Sequence, residues 1–135
     1  MKKETPQQIA FTLLRITMGV NFLGHGLVRF SKLNGFRDWM VNTFQDSLIP
    51  SFLVTAWGSV LPFLEFGIGL LLILGLFTYR ASIAGAIIII ILLFGSTLIE
   101  NWDWAGMQMI YGLFFYFLIS NVEKNTWSID NLIRK

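Results

Sequence analysis

The sequence predicts an all-α membrane protein, a four-transmembrane-helix bundle with an amphipathic interfacial segment between helices 1 and 2, in a single domain over residues 1–135. Three observations predict it. Hydrophobic residues make up 55% of the chain and charged residues 13%, with a mean hydropathy of +0.65, too few charges to clothe a soluble domain of this length. Four stretches, residues 9–30, 52–77, 81–99 and 104–120, are predominantly apolar, and each approaches the roughly 20 residues that a bilayer core requires. The basic residues divide between two sides of such a bundle as they do in multi-pass proteins.

The first span is expected to open with Thr5 as cap and Pro6 in its first turn, where a missing N–H costs little. Lys2 and Lys3 before an apolar run also open secretory leaders, but Arg15 interrupts this run and no small-residue cleavage site follows, so the segment is expected to stay attached. The connection Ser31 to Ser51 places Phe36, Trp39, Met40, Thr43 and Phe44 on one helical face, with Arg37, Asp38, Asn42, Gln45 and Asp46 largely opposite. That pattern suits a helix lying on the membrane surface, as a cover for the bundle mouth or as a simple connector. The second span carries Glu65, Pro62, Gly67 and Gly69. Proline removes a donor and kinks the helix beside the carboxylate, and the glycines permit close helix approach. The third span has no ionisable residue from Ala81 to Ile99 and is expected to be scaffold without chemistry. Trp39, Trp57, Trp102 and Trp104 fall near one boundary, and Tyr79 and Trp127 near the other, as an aromatic belt does.

Lys2, Lys3, Arg80, Lys124, Arg134 and Lys135 gather on the side of the termini and of a turn expected at Thr78 to Arg80. Arg29, Lys32 and Arg37 lie on the other side with Asp38, Asp46, Glu100 and Asp103. This bias places both termini in the cytoplasm and the chain in the cytoplasmic (inner) membrane. The net charge of +2 then needs no nucleic acid partner. With no cysteine and one histidine, no metal, haem or thiol centre is expected, and a redox role must borrow its electron carrier.

Arg15, Met18, Asn21, His25, Arg29 and Lys32 fall within an arc of about 120° at 100° per residue. A face this polar should point into the bundle, because a charge at mid-bilayer costs roughly 2.5 to 3.5 kcal/mol. Measured at about 1.5 Å per residue from the ends of the apolar runs, Arg15 lies about 9 Å deep, Glu65 about 18 Å and His25 about 24 Å. Arg15, His25 and Glu65 are therefore expected to form a buried polar site, with Asn21, Gln108, Tyr111 and Tyr116 in support. An Arg15 to Glu65 ion pair is its core, either fixing helix register or carrying function. Arg29 and Lys32 are expected to snorkel.

The segments RITMGVNFLGHGLVRF, LPFLEFGIGLLLILGLFTYR and NTWSID resemble the DoxX family of small bacterial and archaeal membrane proteins. The resemblance implies a four-helix membrane bundle with cytoplasmic termini, and matching positions at Arg15, His25, Gly26, Glu65, Gly69, Gly75 and Thr78. Tyr79 stands before Arg80 where relatives often place the Arg directly after Thr. Some relatives are associated with quinone-linked oxidoreductases, which implies a quinone site and an oxidoreductase partner subunit.

Three functions follow as expectations. A quinone-binding subunit needs an apolar slot, donors for the ring oxygens and a route for protons, which His25, Arg15, Gln108, the tyrosines and Glu65 supply. A scaffold subunit would use the polar pair to specify the bundle, and Ile129, Leu132 and Ile133 to dock a partner. A small-solute transporter of four spans would need a homo-oligomer to form a path.

Overall fold

The computed structural model describes residues 3–134 and is all-helical among them. The first helix, α1, spans Pro6–Phe30. Thr5 caps it as expected: its hydroxyl accepts the Gln8 N–H at 3.3 Å, and Gln8 Oε1 accepts the Thr5 N–H at 2.8 Å. Together with Pro6 at the start, this satisfies two orphan donors and omits a third. The amphipathic segment folds as α2, Leu33–Phe44, and buries Phe36 and Met40.

Helix α3, Ser51–Leu74, runs through Pro62. It ends at Gly75, whose φ of +65° is a left-handed conformation that glycine adopts without a Cβ penalty. The Leu76 N–H then returns to the Leu71 carbonyl at 2.9 Å. Helix α4 begins at once and spans Thr78–Leu98, so the turn expected at Thr78 to Arg80 is the Gly75 to Phe77 connection instead. Phe77 itself has a φ of +49°, a strained setting for a bulky side chain. Helix α5 covers Trp102–Ser120, a short 3-10 turn covers Val122–Lys124, and α6 covers Ile129–Ile133.

Helices α1, α3 and α4 are long and apolar enough to cross a membrane. They and α5 form a closed circuit in which α1 packs on α3, α3 on α4, α4 on α5, and α5 back on α1, while α2 rests on α3. The tightest seam is α1 with α3. A Cβ on Gly19 would lie 2.8 to 3.0 Å from Ile73 and the Gly69 carbonyl, and one on Gly26 would lie 2.7 to 2.8 Å from Phe66 and the Pro62 carbonyl. Small residues let these backbones meet where lipid supplies no hydrophobic drive for association. The contacts fix an antiparallel register that sets position 25 of α1 level with position 65 of α3. Gly69 belongs to this seam, against Leu23 and the Gly19 carbonyl. Gly67 does not, since a Cβ there would meet nothing within 4 Å; its expected packing role is withdrawn.

The middle of the bundle is filled by Phe115, fully buried against Gly85 and edge-on to Phe22 at 5.4 Å between ring centroids. This plug leaves polar groups in two separate clusters, one toward α2 and one toward the chain termini.

Candidate functional site

The α2 end holds the charged pair. Arg29 Nη1 donates to Glu65 Oε1 at 2.6 Å and Oε2 at 2.5 Å. Glu65 is buried, and the Arg29 side chain keeps 21% exposure. The guanidinium also lies 4.4 Å above the Phe36 ring, so α2 contributes a cation–π face to the same pair. Register explains the partner. Glu65 is level with His25, and Arg29 is the next turn up, within reach of a long side chain.

His25 Nδ1 lies 2.7 Å from the Asn21 carbonyl. Only an N–H can hydrogen-bond a carbonyl, so the proton sits on Nδ1 and Nε2 is the ring nitrogen left for other partners. His25 is exposed rather than enclosed. Across the bundle, Ser96 of α4 lies 2.9 Å from Gln108 of α5, which brings a polar contact from the helix expected to carry no chemistry.

These groups surround one cavity of about 270 Å³, to which α1 contributes Asn21, His25 and Arg29, α3 Glu65, and α5 Gln108 and Tyr111. Its remaining wall is mostly apolar, with Phe22, Phe36, Met40, Leu61 and Ile89. Trp39 and Trp104 also line it and meet each other at 5.8 Å, so these two do more than mark a boundary. Among the site residues read from sequence, Asn21, His25, Glu65, Gln108 and Tyr111 come together here. Two do not. Tyr116 is 63% exposed on the outside of α5.

Arg15 is the larger correction, because it lies about 15 Å along α1 from the level of Glu65. It is 2% exposed, but it meets the C-terminal tail instead of the carboxylate. Its Nη1 donates to Asn125 Oδ1 at 2.5 Å and its Nη2 to the Trp127 carbonyl at 2.8 Å. The expected Arg15 to Glu65 pair, and the single polar column built on it, do not exist.

The tail forms a clamp that sequence reasoning missed. Asn125 Nδ2 donates to Thr78 Oγ1 at 2.9 Å. The Asp130 carboxylate accepts the Phe77 N–H at 2.7 Å and the Thr78 N–H at 2.8 Å, capping α4, while the Asp130 N–H donates to the Gly75 carbonyl at 2.9 Å. Burial pushes the Asp130 carboxyl up, but the hydrogen bonds from Thr78 and Phe77 and the nearby Arg134 charge together hold it below the usual range. The segments GLFT, NTWSID and Arg15 thus assemble into one interlock. Their shared presence in the motif pattern was the available signal.

Comparison with curated proteins and with solved structures returns no match. Residues 10–99, which carry α1 to α4, match the family model described as DoxX. That match covers well over half of the chain and includes Arg15, Arg29, Glu65 and the α3–α4 turn, so the protein belongs to the DoxX family of membrane proteins.

Proposed function

We propose that this chain is a membrane subunit of a quinone-linked oxidoreductase complex, and that the cavity beneath α2 holds the quinone or quinol head group. The observation that carries this reading is the convergence of Arg29, Glu65, His25, Gln108 and Tyr111 on one cavity with mostly apolar walls. Ligand pockets are commonly apolar with a few convergent polar groups. A flat ring bearing two oxygens fits such a lining: Phe22, Phe36 and Leu61 offer the slot, and Tyr111 and the Gln108 amide can donate to the ring oxygens.

A bound quinone supplies two-electron, two-proton chemistry, and in this reading the electrons come from a partner, since a chain with no cysteine and one histidine offers few side chains to hold a redox centre. The residues position and exchange protons. The Asn21 carbonyl holds the His25 Nδ1 proton, leaving Nε2 to take or give a proton at a ring oxygen. Glu65 is a second proton-holding group, and Arg29 steers its carboxylate. Buried Phe36 and Met40 of α2 exclude water from above.

In this reading α5 is the fourth membrane crossing, α2 lies on the outer interface, and both termini face the cytoplasm. The division of Lys and Arg supports it: Lys3, Arg80, Lys124 and Arg134 lie at the clamp end, against Arg29, Lys32 and Arg37 at the other, where Arg29 is paired with Glu65. Lys2 and Lys135 lie outside the described residues. The tail leaves Trp127, Leu132 and Ile133 exposed at 63%, 69% and 70%, a face suited to the electron-donating partner. The same face favours a scaffold role as the second reading.

The test is purification in mild detergent followed by organic extraction, comparing wild type with Glu65→Gln and Arg29→Gln. Quinone should accompany the wild type and be depleted in both variants. A folded wild-type protein that carries no quinone and takes up none when it is added overturns the reading.

A further inference from the structure

We propose that the ligand reaches the cavity sideways from the lipid, through a slot between α1 and α2, with its head at Arg29 and His25 and its apolar tail in the slot. This inference rests on the quinone reading above and adds the route and the tailed character of the ligand. The slot is a groove of about 870 Å³, walled by Val20, Gly24 and Val28 of α1 and by Gly35 of α2, with Lys32 between the two helices. It shares Asn21, His25, Arg29, Phe36 and Trp39 with the interior cavity, so the two spaces adjoin along that row of side chains.

Three features make this side the opening. Helix α2 is seated on α3 rather than on α1, which leaves the α1–α2 seam the less closed of its two flanks. Toward α5, Trp39 and Trp104 meet at 5.8 Å between ring centroids and narrow that flank. His25 is exposed and lines both spaces, standing in the doorway with Nε2 available to a passing head group. The outer lip is apolar: Val20 and Val28 are each 57% exposed, as suits a surface that meets acyl chains. A compact water-soluble ligand would have no use for this wall. An amphipathic molecule with an oxygen-bearing ring and a linear hydrocarbon tail matches both compartments at once.

The two glycines account for the width of the slot. A Cβ on Gly24 or on Gly35 would meet nothing within 4 Å, so a larger side chain fits the fold at either place and projects into the groove. Within helices, replacing Gly by Leu also favours the helix. Plugging the slot should therefore leave the protein folded while obstructing the ligand. Gly67, on α3 and outside both spaces, has the same free room and serves as control.

The experiment reconstitutes wild type, Gly24→Leu, Gly35→Leu and Gly67→Leu in lipid nanodiscs. Quenching of tryptophan fluorescence by a decyl-tailed quinone is followed by rapid mixing, with thermal melting as the check on folding. Both plug variants should melt no lower than wild type yet bind and release the tailed quinone about tenfold or more slowly, as obstructed docking lowers association rates; Gly67→Leu should exchange like wild type. Saturable quenching in wild type with unchanged exchange in both folded plug variants overturns the lateral route and leaves the quinone site standing. Absence of saturable quenching in wild type overturns both.

Discussion

Removing Arg29 should strand Glu65. In Arg29→Met the carboxylate keeps its buried position but loses the two contacts at 2.6 and 2.5 Å, and breaking a buried ion pair from one side costs about 3 to 5 kcal/mol. The Arg29 side chain retains 21% exposure, so solvent relieves part of that loss, while the cation–π contact with Phe36 adds about 0.5 to 1 kcal/mol to it. The expected destabilisation is about 2 to 4 kcal/mol. Adding Glu65→Gln to Arg29→Met should restore most of it, because the stranded charge is then gone. Arg15→Met combined with Glu65→Gln should instead be additive within about 0.5 kcal/mol, as sites this far apart are. Reversible unfolding in mixed micelles, read by circular dichroism across both double-mutant cycles, measures these terms. Coupling between Arg15 and Glu65, with none between Arg29 and Glu65, refutes the reasoning.

Other outcomes follow from the clamp and the helix seam. Asp130 has a folded-state pKa below its unfolded value of about 3.9, so its contribution is complete above that value and is lost as pH falls through the folded one. Melting temperature followed from pH 7 down to about 3 should therefore fall less steeply in Asp130→Asn than in wild type over that acid window. Arg15→Lys cannot serve both Asn125 and the Trp127 carbonyl with a planar fork, and losing one charge-assisted hydrogen bond should cost about 1.5 to 3 kcal/mol in the same unfolding assay. Gly26→Ala forces a Cβ to within 2.7 Å of the Phe66 backbone and should destabilise by about 1 to 3 kcal/mol. Gly67→Ala, in open space, should stabilise by up to about 1 kcal/mol in a parallel melt.

The apolar runs made the long helices legible, and the Thr5–Pro6 cap and the amphipathic face of α2 were readable residue by residue. The inward face of α1 was readable in part: Arg15 is buried and Asn21 and Arg29 line the cavity, while His25 lines it from an exposed position and Lys32 is exposed. Register was not legible from the ends of those runs. Taking Ile9 and Phe77 as level sets α3 about one turn, or about 6 Å, too low against α1, and it pairs Glu65 with the wrong guanidinium. What sets the true register is the interlocking of Gly19, Gly26 and Gly69, which depends on three-dimensional contact. Arg29 looked like a snorkelling residue because a long side chain near a helix end can turn outward or inward with equal ease. Only the position of Glu65 decides between them. The clamp was hidden for a different reason: Arg15 meets Asn125 and Trp127 across more than a hundred residues of chain, and nothing local to NTWSID names its partner. Ser96 was overlooked near the end of a span without ionisable residues, although its hydroxyl faces Gln108 at 2.9 Å.

The central claim is that the cavity beneath α2, rather than the clamp around Arg15, receives an oxygen-bearing ring. A photoreactive azido-quinone in reconstituted bilayers, followed by peptide mapping, tests it most directly. Labelling should fall on peptides carrying His25, Phe36, Trp39 or Trp104, and excess unmodified quinone should suppress it. Labelling confined to the segments around Arg15 and Trp127, or insensitive to competing quinone, would contradict the account.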